Sequence, residues 1–231
     1  NNVISYGWEI TNNFSAKVCE MREGSTDFDV FAYGNLLGRV TLGVPGMHNV
    51  LNGLAVIALA TELGVDFSDI SGAMREFRGA KRRFDVLYRS ANYSVVDDYG
   101  HHPTEIKATI ATAKHLNPER LVCVFQPHRY TRTQLMMDEF AKAFREVDEL
   151  FVTDIYPAGE KPIENINSEA VVKAIHDEGH QKVNYVPDLK TAHLEVGAAL
   201  SCGDTILTLG AGNIHEVGAA LARDLEILDK L

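Results

Sequence analysis

From residue 93 onward, apolar runs alternate with segments of helical period, five times in succession, and this alternation is the strongest constraint on the fold. Residues 93–98, 121–125, 150–155, 182–186 and 205–209 read as strands. Between and after them, residues 103–116, 133–147, 168–178, 189–200 and 214–228 read as helices. Ile106, Ile110 and Ala113 recur at helical spacing, as do Met136, Phe140 and Phe144. Pro103 at a first helical position and Glu105 in the first turn mark a helix start. Strands that are apolar on both sides must be covered on both faces. Repeated strand–helix units meet that need as a doubly wound, mostly parallel α/β sheet.

The preceding residues follow another pattern. Residues 3–6, 16–21, 28–33 and 37–42 are β-rich, with a hairpin turn expected at Gly34-Asn35. Pro45-Gly46 ends that pattern, and helices are expected over residues 48–63 and 67–77, the second capped by Asp66 or Ser68. The change of pattern falls within residues 78–89 and implies two domains, 1–79 and 80–231. With 231 residues and 45% hydrophobic side chains, both can bury a core. The net charge of −10 argues against a nucleic-acid partner, which selects basic surfaces. Cys19, Cys123 and Cys202 lack the spacing of a disulfide framework or zinc ribbon, which points to a reducing, cytoplasmic setting. No apolar run reaches the length of a membrane span and no signal peptide is evident, so no membrane partner is expected. The first residue is Asn1 rather than Met, which fits an excised fragment and a trimmed terminus equally.

Open parallel sheets bind ligands at the carboxyl ends of their strands. Here those ends read Asp97-Asp98-Tyr99-Gly100-His101-His102-Pro103, then Gln126-Pro127-His128-Arg129-Tyr130-Thr131-Arg132, then Asp154-Ile155-Tyr156-Pro157-Ala158-Gly159-Glu160, and finally Gly210-Ala211-Gly212-Asn213. Ionisable residues crowd the first two loops, which makes the domain a ligand binder or an enzyme. His101, His102 and His128 could form a zinc trio, but adjacent histidines tend to point apart and no further ligand completes a familiar spacing. Arg129 and Arg132 are either solvated surface charges or a fork for a carboxylate or phosphate. Close backbone packing explains Gly210-Ala211-Gly212 as well as a ligand does. Asp97 and Asp98, neighbours on a strand, point to opposite faces, so one of them is structural. In the earlier domain Asn49 and Asn52 share a helix face and could read an adenine edge, although capping by Asn49 is the simpler account.

Taken together, these residues resemble the Mur ligase family. Pro45-Gly46-x-His48-Asn49-x-x-Asn52 is similar to that family's adenine-binding helix, and Arg82-Arg83-Phe84-Asp85 to the junction before its third domain. Asp98-Tyr99-Gly100-His101-His102-Pro103-Thr104-Glu105 and Phe125-Gln126-Pro127-His128-Arg129-Tyr130-Thr131-Arg132-Thr133 resemble the branch that adds L-alanine. A sister branch that reattaches recycled murein tripeptide is the nearest alternative; it usually has Phe-Ala at Tyr99-Gly100 and lacks the His-Arg-Tyr-Thr-Arg run. The resemblance implies that residues 1–79 are the β-plus-helix end of a central ATP-binding domain. Residues 80–231 would then be the C-terminal, amino-acid-binding domain. No Gly-Lys-Thr or Gly-Lys-Ser occurs, so the family's phosphate loop, its magnesium ligands and its sugar-binding domain are expected upstream, and the chain alone is expected to be inactive.

The implied chemistry is ATP- and Mg2+-dependent. A carboxylate cannot be amidated directly because its leaving group would be oxide. The family therefore phosphorylates the carboxylate of UDP-N-acetylmuramate and lets the amine of L-alanine attack the acyl phosphate. Carried over residue by residue, His101, Arg129 and Arg132 are the catalytic candidates. Arg129 and Arg132 would clamp the alanine carboxylate, His101 would take the amine proton, and Tyr99 and His128 would line the pocket. His48, Asn49 and Asn52 would hold adenine, Arg83 a phosphate and Asp98 the nucleotide side; no metal ligand is assigned here. Domain closure would bring these halves together and exclude water. Outside the family, a non-catalytic nucleotide- or amino-acid-binding module and a hydrolase built on the histidines remain as alternatives.

Overall fold

A computed structural model describes residues 3–22 and 24–230, which divide into two compact units meeting between Ala80 and Lys81. The first unit is a four-stranded sheet, β1 (Tyr6–Gly7), β2 (Phe14–Arg22), β3 (Ser25–Ala32) and β4 (Asn35–Leu42), in that order. β1 runs parallel to β2, and the remaining pairs are antiparallel. The β3–β4 turn is Tyr33-Gly34, one residue earlier than expected, because Ala32 pairs with Asn35. Both turn residues have positive φ, +50° and +80°, the geometry that suits a two-residue hairpin. Thr26, Phe28 and Val30 alternate inward on β3. Against them packs α1 (Met47–Glu62), which buries Val50, Leu54 and Ile57, and beside it α2 (Phe67–Glu76), which buries Ile70 and Met74.

The second unit holds β5 (Asp85–Arg89), β6 (Tyr93–Asp98), α3 (Pro103–His115), β7 (Arg120–Phe125), α4 (Tyr130–Leu135) and α5 (Met137–Ala141). It continues through β8 (Glu149–Val152), α6 (Ser168–Asp177), β9 (Val183–Tyr185), α7 (Ala192–Ala199), β10 (Asp204–Leu209) and α8 (His215–Leu228). The sheet order is β5-β6-β10-β7-β8-β9, parallel except for the edge strand β5, which the sequence pattern did not announce. Ile106 and Ile110 of α3, Phe140 of α5 and Val171 of α6 share one core with Val96, Cys123 and Leu207. Val196 of α7 and Leu221 of α8 share the other with Val95, Val124 and Ile206. The fold is thus a doubly wound α/β sheet. The helix expected over residues 133–147 is broken at Met136, whose φ of −121° and ψ of 24° leave the helical region. Phe140 and Phe144 nevertheless pack on Phe125, with ring centroids 5.5 and 5.0 Å away.

The position of β10 decides where a ligand can sit. It lies between β6 and β7, yet its following helix α8 covers one face while α3 and α5 cover the other. The chain therefore leaves adjacent strands toward opposite faces, which opens a crevice at their carboxyl ends. Among the described residues no helix is long and apolar enough to cross a membrane.

Candidate functional site

The crevice is walled by the loops after β6, β7, β8 and β10. Two aspartates close the first loop from inside. Asp97, 1% exposed, accepts from Arg82 Nε at 2.8 Å and Thr208 Oγ1 at 2.7 Å. Asp98, 2% exposed, accepts from the backbone N–H of Phe84 at 2.8 Å and of Gly100 at 2.7 Å. Both carboxylates, not one alone, are buried and hydrogen-bonded within the unit. Asp98, expected to face the nucleotide, thus links its own loop at Gly100 to Phe84 at the start of the unit. Arg82 entered the sequence reading only as part of the junction motif, with no role assigned, although it does the most stitching. Its guanidinium also donates to the carbonyls of Gly212 at 3.0 Å and Gly210 at 2.6 Å, tying the start of the unit to the loop after β10. That loop must be small: a Cβ on Gly212 would lie 2.6 Å from Tyr156 Cγ. Gln126 completes the seam by donating to Asn213 Oδ1 at 3.0 Å and accepting from Ile214 N at 3.2 Å.

Above this seam four rings form a row across three loops. Tyr99 meets His101 edge-on at 5.4 Å, His101 meets His128 at 5.5 Å, and His128 stacks on Tyr156 at 5.6 Å. The guanidinium groups of Arg82 and Arg83 lie over Tyr99 at 5.1 and 5.6 Å, within cation–π range. His102 has a separate task. It is the N-cap of α3, where its Nδ1 accepts from Thr104 N at 3.2 Å. Glu105 returns the favour by accepting from the N–H groups of His101 and His102 at 3.1 and 3.2 Å. Burial pushes its carboxyl up, but those two donors and the His101 and Arg83 charges outweigh burial and leave it below its ordinary range.

The two facing histidines differ in tautomer, as their partners dictate. His101 Nδ1 lies 3.0 Å from the carbonyl of Tyr99 and 3.4 Å from Glu105 Oε2, both acceptors, so in the neutral ring Nδ1 carries the proton and Nε2 offers the lone pair. His128 Nδ1 lies 3.3 Å from the Arg132 guanidinium, which can only donate, so here Nδ1 accepts and Nε2 carries the proton. Burial, reinforced by His101, Arg132 and Arg129, pulls the His128 pKa down to about 4. His128 is therefore a neutral hydrogen-bonding residue at neutral pH, and Nε2 of His101 is the available base of the pair.

Arg129 begins α4 in a left-handed conformation, φ +70°, with its side chain about half exposed. Glu160, from the loop after β8, accepts from Thr131 N at 3.0 Å and Thr131 Oγ1 at 2.7 Å, contacts that hold its carboxyl below the ordinary range. Position alone could have flagged Glu160, since it lies at the carboxyl edge; nothing in its local sequence names its partner. Arg83, 3.5 Å from Glu105, remains 44% exposed. Among the described residues no group of three His, Cys, Asp or Glu side chains could hold a metal ion. In the first unit the N-cap of α1 is Gly46 rather than Asn49. Asn49 instead donates through Nδ2 to the Pro45 carbonyl at 2.7 Å, while Asn52 is exposed and His48 half-buried.

A parallel sheet with a cation- and histidine-lined crevice at this switch point defines a class, and the chain belongs to the Mur ligase family: the family model described as Mur ligase, glutamate ligase domain, matches residues 82–212. The chain is similar to the UDP-N-acetylmuramate–L-alanine ligases of Syntrophotalea carbinolica, 43% identical over 98% of this chain and 49% of that protein, and Geotalea daltonii, 46% identical over 96% and 48%. It thus spans about half the length of the curated relatives it matches. The crystal structure of the Thermotoga maritima UDP-N-acetylmuramate–alanine ligase superposes with a TM-score of 0.81 at 30% identity, covering 97% of this chain and 48% of that one. A murein peptide ligase from Psychrobacter arcticus shares the fold at a TM-score of 0.64 and 20% identity, covering 95% of this chain and 45% of its own.

Proposed function

We propose that this chain is the amino-acid-binding part of an ATP-dependent ligase that joins L-alanine to UDP-N-acetylmuramate in cytoplasmic peptidoglycan precursor synthesis. The observation that carries the reading is the pair Arg129 and Arg132 beside two histidines of opposite tautomer at the switch point of the sheet. Two guanidinium groups suit the carboxylate of a small zwitterion. His101 Nε2 then receives the proton that the alanine amine releases as nitrogen attacks the acyl phosphate. The new C–N bond forms as phosphate departs with its bonding electrons. Tyr99 orients His101 through its carbonyl and its ring edge. His128 holds Arg132 without competing for the proton, because its own Nε2 is already protonated. Arg83 would meet an ATP phosphate and Asp98 the nucleotide side, and His48, Asn49 and Asn52 would hold adenine.

The reading is tested by calorimetric titration of L-alanine and ATP into the chain and its Arg129→Lys variant. Lysine keeps the charge but loses the planar fork. One charge-assisted hydrogen bond, about 1.5–3 kcal/mol, corresponds to a roughly 10- to 150-fold loss of L-alanine affinity. ATP affinity should not change. A defect confined to ATP would move these arginines onto phosphate and sink the alanine assignment. The chain alone, given ATP, magnesium, UDP-N-acetylmuramate and L-alanine, should form no amide, because it carries no Gly-Lys-Thr or Gly-Lys-Ser phosphate loop. Phosphate release above background would overturn that part.

A further inference from the structure

Arg129 occupies a backbone region that residues with side chains rarely adopt, φ +70°, and such a conformation persists only where its surroundings impose it. Its N–H donates to the Tyr156 carbonyl at 2.9 Å. Its own carbonyl accepts from Thr133 N at 3.1 Å and Thr133 Oγ1 at 2.9 Å. Two residues along, Thr131 is held by both oxygens of Glu160, at 3.0 and 2.7 Å. The same carboxylate lies 3.9 Å from the Arg129 guanidinium. We propose that Glu160 is a positioning residue that fixes Arg129 for an amino-acid carboxylate by clamping the Thr131 backbone and hydroxyl. This rests on the reading that Arg129 receives that carboxylate.

Two effects of Glu160 oppose each other. It clamps the loop, and its charge also competes with an incoming carboxylate for Arg129. The competing ion pair is long and half exposed, so it is weak. The two bonds to Thr131 are short, and each has an ionised acceptor, which roughly doubles the strength of a neutral bond. Clamping therefore wins, and removing Glu160 should loosen Arg129 rather than liberate it.

The test is titration of L-alanine and L-alaninamide, which lacks the carboxylate, into the chain and three variants. Glu160→Ala should weaken L-alanine about tenfold and leave L-alaninamide unchanged. Glu160→Gln can still accept from Thr131 and should lose only about threefold; Thr131→Val should shift affinity in the same direction as Glu160→Ala. A general loss of structure would weaken both ligands equally and would overturn the proposal. So would unchanged L-alanine affinity in Glu160→Ala, or tighter affinity, which would make Glu160 a competitor. If the wild-type chain shows no saturable L-alanine binding, the parent reading fails and this one with it. Wild-type binding that the Glu160 variants leave untouched removes this one alone.

Discussion

Replacing Arg82 with alanine tests how the seam beneath the rings is held. The substitution removes the 2.8 Å bond to Asp97 and the donors to the Gly210 and Gly212 carbonyls. Asp97 keeps the Thr208 hydroxyl, but its side chain is only 2% exposed. Deleting one partner of a buried ion pair costs about 3–5 kcal/mol. Arg82 itself is 20% exposed, so water can reach part of the vacated space, and a loss of about 3 kcal/mol is expected. For a unit of this size, about 2–4 °C per kcal/mol gives a fall of roughly 6–12 °C in Tm. Trp8, the sole tryptophan, lies in the first unit, so its fluorescence would miss the event. Hydrogen exchange at the amides of Val96 and Leu207, on β6 and β10, reads it directly. Arg82→Lys keeps the charge but can reach fewer of the three acceptors, and should lose about half as much. Adding Asp97→Asn to Arg82→Ala should recover part of the loss, because the stranded charge is gone. Exchange free energies for Arg82→Ala within about 0.5 kcal/mol of wild type, the range of an ordinary surface substitution, would refute the reasoning.

Other consequences are open to simple measurement. His128 should titrate near its depressed pKa of about 4 rather than the ordinary 6.5. The unfolded chain therefore takes up this proton first as pH falls, so the group's contribution is intact above about 6.5 and is lost on descending to about 4. His128→Gln should flatten the acid slope in that window, and a His128 ring titration by NMR with its midpoint near 6.5 would contradict the burial argument. Gly212→Ala should destabilise the second unit by about 1–3 kcal/mol, the range for overpacking, since the added methyl meets Gln126 Oε1 and the Tyr156 side chain; an unchanged melting temperature would show that both side chains yield freely. Residues 81–231 expressed alone should unfold cooperatively, because their two cores draw only on residues of that unit. A broad, non-cooperative melt would count against it.

The sequence by itself determined the class of architecture and the edge where a ligand must sit. Val95-Val96, Leu121–Phe125 and Ile206-Leu207 are apolar on both sides, and Ile106, Ile110 and Ala113 keep a helical stripe, so strand, helix and their alternation were legible from local burial needs. Tyr99, His101, His128, Arg129 and Arg132 were visible because they directly follow such strands. What periodicity cannot carry is which elements become neighbours. Only the tertiary structure inserted β10 between β6 and β7, although Leu207 lies 111 residues from Val96, and thereby set Arg82 against Gly210 and Gly212. The edge strand β5 escaped notice because Asp85 and Arg89 bracket too short an apolar run, and its pairing with β6 supplies the order. The break at Met136, the opposite tautomers of His101 and His128 and the grip of Glu160 on Thr131 were likewise settled in three dimensions. A side chain's period reports only whether it is buried against its own element. Its hydrogen-bond partner, and hence its proton and its orientation, is chosen by whichever group the distant chain brings within about 3 Å, the reach of a hydrogen bond.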